Sequence, residues 1–265
     1  MIPISAVIIT FNEERNIGRC LESLQELVEE IIVLDSFSTD KTKEICNSFK
    51  NVKFKEREWE GYSSSKNFAN KLANNNWILS IDADEALSNE LKNSIKQINL
   101  TEKNNFYSFN RLTNYCGTWV KYGGWYPDRK IRIFNRETSK WEGDIHENLT
   151  NTSDSKATHL KGDCLHYSYY TIEEHWNQTK KFSVQTAKML YNQKKKASLI
   201  KRYFSPLFKF IKDYLLKLGF LHGLVGWKIC SISAYATYLK YKTLNDLNKH
   251  NYEIPSNNKS NNSYK

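Results

Sequence analysis

The sequence predicts an α/β protein built on a mainly parallel sheet and followed by a helical extension. Three observations carry that expectation. β-Branched runs alternate with helical repeats through the first third of the chain, residues 106–168 switch to strand-like runs, and from Thr171 the apolar spacing is helical.

Residues 5–11, Ser-Ala-Val-Ile-Ile-Thr-Phe, form a β-branched run that breaks at Asn12-Glu-Glu-Arg-Asn16. Ile17, Cys20, Leu21, Leu24 and Leu27 then recur at the spacing of an amphipathic helix. Residues 30–35 make a second strand, followed by Ser36-Phe-Ser-Thr-Asp40 and a helix holding Ile45 and Phe49. Residues 52–55 alternate as a third strand, and a helix around 66–73 leads into a fourth strand over 77–82. In parallel sheets covered on both faces, ligands bind at the carboxyl ends of the strands. That rule puts three polar clusters on one rim: residues 10–13, 35–40 and 82–85. No Gly-x-Gly-x-x-Gly follows the first strand and no Gly-Lys-Thr/Ser loop occurs, which argues against dinucleotide-binding and P-loop chemistry.

The third cluster ends Trp77-Ile-Leu-Ser-Ile-Asp-Ala-Asp-Glu85. Carboxylates at i and i+2 point the same way if the strand continues, and a hard divalent ion would relieve their repulsion. A strand followed by a helix cap at Ser88 fits the same residues. Across residues 106–168, strands are expected at 106–112, 130–136, 157–160 and 164–167. Their loops carry Trp119, Gly123-Gly-Trp-Tyr-Pro-Asp-Arg129 and Trp141-Glu-Gly-Asp-Ile-His-Glu147. Aromatic side chains in polar loops suit a pocket stacked on sugar rings, and they suit a core equally in kind.

Helices are expected over 173–191, 199–218 and 222–247. The middle one sets Phe204, Leu207, Phe208, Phe210, Ile211, Leu215 and Leu216 among Lys201, Arg202, Lys209, Lys212 and Lys217, the pattern of a membrane-surface helix or of a packed helix with a solvated basic face. The formal net charge is +10, and about fifteen Lys/Arg against about four Asp/Glu between Thr171 and His250 account for it. Lys217, Lys228 and Lys240 interrupt the most apolar stretch, leaving no uncharged run of the ~20 residues that a span needs. The N-terminus lacks the basic region and cleavage site of a signal peptide, and five scattered cysteines read as reduced thiols. The Ser/Asn/Lys-rich tail reads as disordered.

Val7-Ile-Ile-Thr-Phe-Asn-Glu13, Val33-Leu-Asp-Ser-Phe-Ser-Thr-Asp-Lys-Thr42, Ser65-Lys-Asn-Phe-Ala69 and Ile81-Asp-Ala-Asp-Glu85 together resemble the inverting family 2 glycosyltransferases of GT-A fold. Tyr126-Pro-Asp-Arg-Lys-Ile-Arg-Ile-Phe134, Ile145-His-Glu147 and Gly219-Phe-Leu-His-Gly223 resemble the bacterial branch that extends lipopolysaccharide cores, which includes β-1,4-glucosyltransferases. The resemblance implies residues 1–105 as the nucleotide-sugar half, 106–170 as the acceptor half, 171–248 as basic amphipathic helices and 249–265 as a tail. It implies that Thr10, Asn12 and Glu13 line the nucleotide pocket, Asp35 bonds uracil or ribose, and Lys66 lies near base or diphosphate. Asp82 would sit against ribose and metal, with Asp84 as the direct ligand of Mg²⁺ or Mn²⁺.

The attacking hydroxyl also needs a base. The branch pattern favours Glu147, then Asp144, then Asp128, although the Glu-Asp pair of many relatives is missing and Glu147 also fits a surface ion pair. His146 fits a metal ligand, a diphosphate contact or a backbone-bonded imidazole. Arg129, Lys130 and Arg132 suit phosphate, with Lys130 and Arg132 on one strand face and Ile131 and Ile133 toward the core. His159 and His166 read as structural.

The expected enzyme moves a hexose, glucose by default, from a UDP-sugar to a lipid-linked glycan. It would act as a peripheral protein on the anionic, cytoplasmic face of the inner membrane, with no specific nucleic acid. A sugar nucleotidyltransferase would open on a Gly-rich basic loop, which the Thr-Phe-Asn-Glu-Glu segment is not. A basic nucleic-acid module would leave the acidic rim unexplained.

Overall fold

The computed structural model describes residues 1–143, 148–151 and 157–249. The chain begins with β1 (Ile2–Thr10), α1 (Ile17–Leu24), β2 (Val28–Asp35), α2 (Thr42–Asn47), β3 (Val52–Glu56), α3 (Tyr62–Leu72) and β4 (Trp77–Ser80). It continues through β5 (Glu85–Leu87), α4 (Asn89–Ile95), β6 (Phe106–Tyr115), β7 (Thr118–Val120), β8 (Asp128–Asn135), β9 (Ser139–Glu142), β10 (Asn148–Asn151) and β11 (Ala157–Tyr169). Three helices close it: α5 (Ile172–Asn192), α6 (Leu199–Ile211) and α7 (Gly223–Lys249). The described chain forms two units, one of Met1–Lys121 with Trp125–Tyr170, the other of the segment from Thr171 with Tyr122–Gly124.

In the first unit a nine-stranded sheet runs β3-β2-β1-β4-β8-β6-β11-β5, with β7 on β6. The pairs β1–β2, β2–β3 and β1–β4 are parallel, as the strand–helix alternation demands. Beyond β4 the sheet is mixed: β8 is antiparallel to β4 and β6, whereas β6 and β11 are parallel. This is the α/β sheet that the sequence leads one to expect, parallel through its first four strands.

Both faces of β1 are buried, which explains its unbroken apolar run. Ile4, Ala6 and Ile8 pack with Ile17, Leu21 and Leu24 of α1, while Val7 packs with Ile32, Leu34, Phe134 and Trp141. The helical stripe predicted for α1 is the stripe that this first cluster absorbs.

Several boundaries differ from expectation for local reasons. The fourth strand stops at Ser80, because Glu85 N–H donates to Asp82 O at 3.0 Å and turns the chain back into β5. The two strands expected at 157–160 and 164–167 are one, β11, with an irregularity in its pairing to β6 between His159 and Asp163. Gly162 sits there at φ +93°, and a Cβ on it would lie 2.3 Å from Leu91 N, so only glycine admits the first turn of α4. Ile131 is 38% exposed, contrary to the expectation that it faces the core, whereas Ile133 is buried.

In the second unit α5 and α6 both pack on α7. Thr171 and Glu174 form a capping box at the start of α5. The middle helix ends sooner than expected, at Ile211, and a π-helical turn over Lys212–Leu216 and a 3₁₀ turn over Gly219–His222 lead into α7. A Cβ on Gly226 would fall 1.9 Å from Gly219 O, so glycine sets that turn against α7. Among the described residues no single helix is long and apolar enough to cross a membrane. Leu199–Leu216 and Gly219–Lys249 reach that length and composition only together, and they meet at 71°. The tail expected to be disordered lies, from residue 250, outside the described residues.

Candidate active site

The carboxyl ends of the neighbouring strands β2, β1 and β4 carry Asp35, Thr10 and the Asp82–Asp84 turn, so the three polar clusters do share one rim. The loops after β1 and β2 are laced together. Asn12, in the left-handed region at φ 54°, donates its N–H to Ser38 Oγ at 2.8 Å and accepts from Thr39 N–H at 2.8 Å. Glu13 N–H donates to Thr42 Oγ1 at 2.8 Å, and Glu14 N–H to Asp40 Oδ2 at 3.0 Å. Such mutual side-chain-to-backbone bonds hold two irregular loops rigid. Asp35, fully buried, accepts from both the N–H and the hydroxyl of Ser38, yet burial raises its carboxyl above the usual range. Thr10 Oγ1 is buried with no hydrogen-bond partner among the described residues.

Burial also pushes Glu13 up to about 7; the bond from Asn16 opposes that, and the fields of Asp84, Asp40 and Asp82 add to it. Those contributions show carboxylates of all three clusters acting on one another. Arg15 stacks 3.3 Å from the Tyr170 ring centroid and Arg19 3.7 Å from that of Tyr167, tying the loop after β1 to the end of β11.

Asp82 and Asp84 have different partners. Asp82 accepts from Arg132 at 2.8 Å, and Lys66 Nζ lies 3.7 Å away. Burial would raise this carboxyl, but Arg132 and Lys66 hold it well below the usual range. Arg132 also donates to the fully buried Glu85 at 2.8 Å. Arg111 lies 3.6 Å from Glu85 and donates to Asp128 at 2.8 Å, and Lys130 pairs with Asp128 at 3.0 Å. Arg132 is therefore taken up by two carboxylates, not left open for phosphate as the sequence suggested, and Lys130 shares its strand face with a different partner. Arg129, on the opposite face, is exposed.

Asp84 turns instead to His166, whose Nε2 lies 3.1 Å from Asp84 Oδ2. Strand β5 explains the meeting: it pairs with β11 so that Glu85 faces His166, and Tyr167 N–H donates to Asp84 O at 2.9 Å. Thr113 Oγ1 lies 3.3 Å from the other ring nitrogen. With the ring proton on Nε2 the imidazole donates to Asp84, and the Thr113 hydroxyl donates to Nδ1. His166, read from sequence as structural, thus stands against a rim carboxylate, a placement that the sequence reading did not anticipate. Its signal was out of reach, since the two residues are 82 apart in the chain.

No group of three or more His, Cys, Asp or Glu among the described residues makes a metal cage. Asp84 supplies an oxygen donor of the kind that Mg²⁺ or Mn²⁺ prefers, His166 adds an imidazole beside it, and water and phosphate oxygens would complete the shell, so Asp84 fits such an ion. Lys66, nearly buried, also stands 4.8 Å from the Trp141 ring centroid. Asn67 brackets Trp141 by donating to its carbonyl at 2.8 Å and accepting from its N–H at 2.9 Å, and Ser63 donates to Gly143 O at 2.5 Å. The chain is therefore fixed up to Gly143. Asp144, His146 and Glu147 lie just beyond, outside the described residues.

Comparison with known proteins shows a family. Residues 5–151 match the model of "Glycosyl transferase family 2". An uncharacterized glycosyltransferase of Rickettsia typhi is 32% identical over 259 residues, covering 93% of this chain and 88% of that protein. The lipopolysaccharide core biosynthesis glycosyltransferase LpsC of Rhizobium meliloti is 27% identical over 248 residues, covering 88% and 86%. Among solved structures, a mannosyltransferase from Pyrobaculum calidifontis in complex with GDP-Man and Mn²⁺ aligns at a TM-score of 0.48 and 16% identity, covering 88% of this chain and 73% of that one.

Proposed function

The chain belongs to glycosyl transferase family 2, and from that premise we propose that it moves a hexose, glucose by default, from a UDP-sugar to a hydroxyl of a lipopolysaccharide core or similar glycan, with inversion. The observation that carries this reading is the rim at β2, β1 and β4, where two interlocked loops and a pair of donors, Asp84 and His166, adjoin. Similarity to LpsC supports the acceptor class.

Residues 1–105 would bind the nucleotide-sugar. Thr10, with its unpartnered hydroxyl, and the buried Asp35 would bond base and ribose, and Asn12 and Glu13 would shape the pocket wall. Asp82, already neutralised by Arg132 and Lys66, would orient the ribose edge without adding repulsion to the diphosphate. Asp84 and His166 would hold the divalent ion, whose chemistry is to offset charge on the leaving diphosphate. Lys66 stands ready for the same charge.

Residues 106–170 would receive the acceptor, and its proton would pass to a carboxylate. Glu147 remains first choice, with Asp144 second. Asp128 is the weakest candidate, because Arg111 and Lys130 already share it. The acceptor would be lipid-linked and met at the cytoplasmic face of the inner membrane, to whose anionic surface the basic helices would hold a peripheral enzyme.

A thermal-shift panel of UDP-, GDP-, ADP- and CMP-sugars, each with and without Mn²⁺, tests the donor half. The expected result is stabilisation by UDP-sugar that grows with Mn²⁺ and loses the Mn²⁺ increment in Asp84→Ala and in His166→Ala. Equal shifts in wild type and both variants would refute the assignment of the ion.

A further inference from the structure

The second unit exposes a continuous apolar stripe that no described residue of it covers. Along α6, Ile200, Phe204, Leu207, Phe208 and Ile211 follow the i, i+4, i+7, i+8, i+11 spacing of one helix face, Leu215 follows in the turn after it, and all six are exposed. Phe204 is 65% exposed, and Leu216 and Leu224 reach 72% and 80%. The opposite face carries Arg202, Lys209 and Asp213. Arg202 donates to Tyr238 of α7, and Phe210 and Tyr214 pack on Trp227 of α7. One side of α6 is thus satisfied and the other bare. A contiguous exposed apolar stripe, with no polar side chain interrupting it, is the kind of surface that marks an interaction site.

Charge says what covers it. Between Glu174 and Asp246 the only acidic residue is Asp213, and that one is buried and paired with Lys209. Lys194, Lys195 and Lys196 precede α6, and Lys201, Lys212 and Lys228 flank the stripe, all exposed. A second copy of this chain seated face to face would bring these cations together. A nucleic acid would have no use for six bare Leu, Ile and Phe side chains within the basic band. The 71° bend between the two helical segments prevents them from acting as one straight span.

We infer that α6, the π-helical turn and the first turn of α7 form an interfacial hairpin that lies in the plane of an anionic bilayer, its Phe and Leu side chains among the acyl chains and its lysines at the headgroups. The inference rests on the proposed function only for naming a membrane as the surface; its structural grounds are independent of the donor and the ion. Trp227, half exposed beside Phe210, sits at the amphipathic boundary where such rings collect.

The test is co-sedimentation of the full chain with vesicles of phosphatidylcholine, with and without phosphatidylglycerol, at low and high salt. Expected is partitioning at least about tenfold stronger on the anionic vesicles, with a fraction retained at high salt because the apolar contacts are not screened. Phe204→Ser with Phe208→Ser should lower partitioning by about tenfold or more while leaving the UDP-sugar thermal shift unchanged. Bromine-labelled acyl chains should quench tryptophan fluorescence, and less so in Trp227→Phe. No vesicle binding with an intact UDP-sugar shift overturns the hairpin and leaves the transferase standing. Concentration-dependent dimers, or retention on RNA, in place of vesicle binding would also overturn it, as would equal partitioning of the double variant and wild type.

Discussion

Arg132 is the side chain that lets two acidic residues sit together under the rim. It is nearly buried, bonded at 2.8 Å to both Asp82 and Glu85, and those two carboxylates hold its guanidinium charged against the pull of burial. Removing one partner of such a group leaves uncompensated charge in a dry place. Arg132→Met should therefore cost about 3–5 kcal/mol of unfolding free energy, measurable by urea titration. The double change Arg132→Met with Glu85→Leu should recover part of it. At this scale the sequence was a partial guide. It marked Asp82 and Asp84 by their spacing, but it did not show that Arg132 would meet Asp82 and His166 would meet Asp84. Which of two neighbouring carboxylates a distant arginine will reach depends on sheet register, and spacing carries no record of that.

Strand and helix boundaries show where local pattern suffices. The runs that became β1, β2 and β3 are buried or alternate along their length, and reading them requires only the period of a strand. The three-residue β5 was not legible, because Glu85-Ala-Leu has no period of its own and exists as a strand through its pairing with β11. The merger of two expected strands into β11 has the same origin: Gly162 looks like a break in sequence but serves as a passage for α4. Gly162→Ala would force a Cβ into Leu91 backbone and an unfavourable φ, and should destabilise by about 2 kcal/mol, seen as a lower denaturation midpoint. Gly117→Ala, at φ +86° with open space around it, should cost less, which separates the clash from the backbone strain.

Stability against pH is a property of the whole chain, and two carboxyls of the rim pull it in opposite directions. Glu13 has a folded value of about 7 against an ordinary 4.5, so its contribution is complete below pH 4.5 and is lost as pH rises through 7. Asp82, held low by Arg132 and Lys66 despite burial, contributes fully above its ordinary 3.8 and loses that only in stronger acid. Melting curves of wild type and Glu13→Gln should thus diverge below pH 7, with the variant flatter between 4.5 and 7. Parallel profiles across that window would show that Glu13 titrates elsewhere. The uneven charge of the molecule was legible from composition alone, since it needs only counting. The bare side of α6 was not, because knowing which face α7 covers requires the fold.

One detail of β11 constrains how this strand can change in length. His159 stands opposite Ser108 and Asp163 opposite Asn110, so β11 spends two more residues than β6 over that interval. An even surplus keeps the alternation of sides intact, and Cys164 stays inward while His166 stays beside Asp84. Deleting a single residue from 160–162 would swap inside for outside along everything downstream, exposing Cys164 and carrying the imidazole away from its carboxylate. Deleting a pair would not. Viable insertions and deletions in this segment therefore obey a parity rule, and a library of length variants sorted by retained melting temperature should come out in even steps.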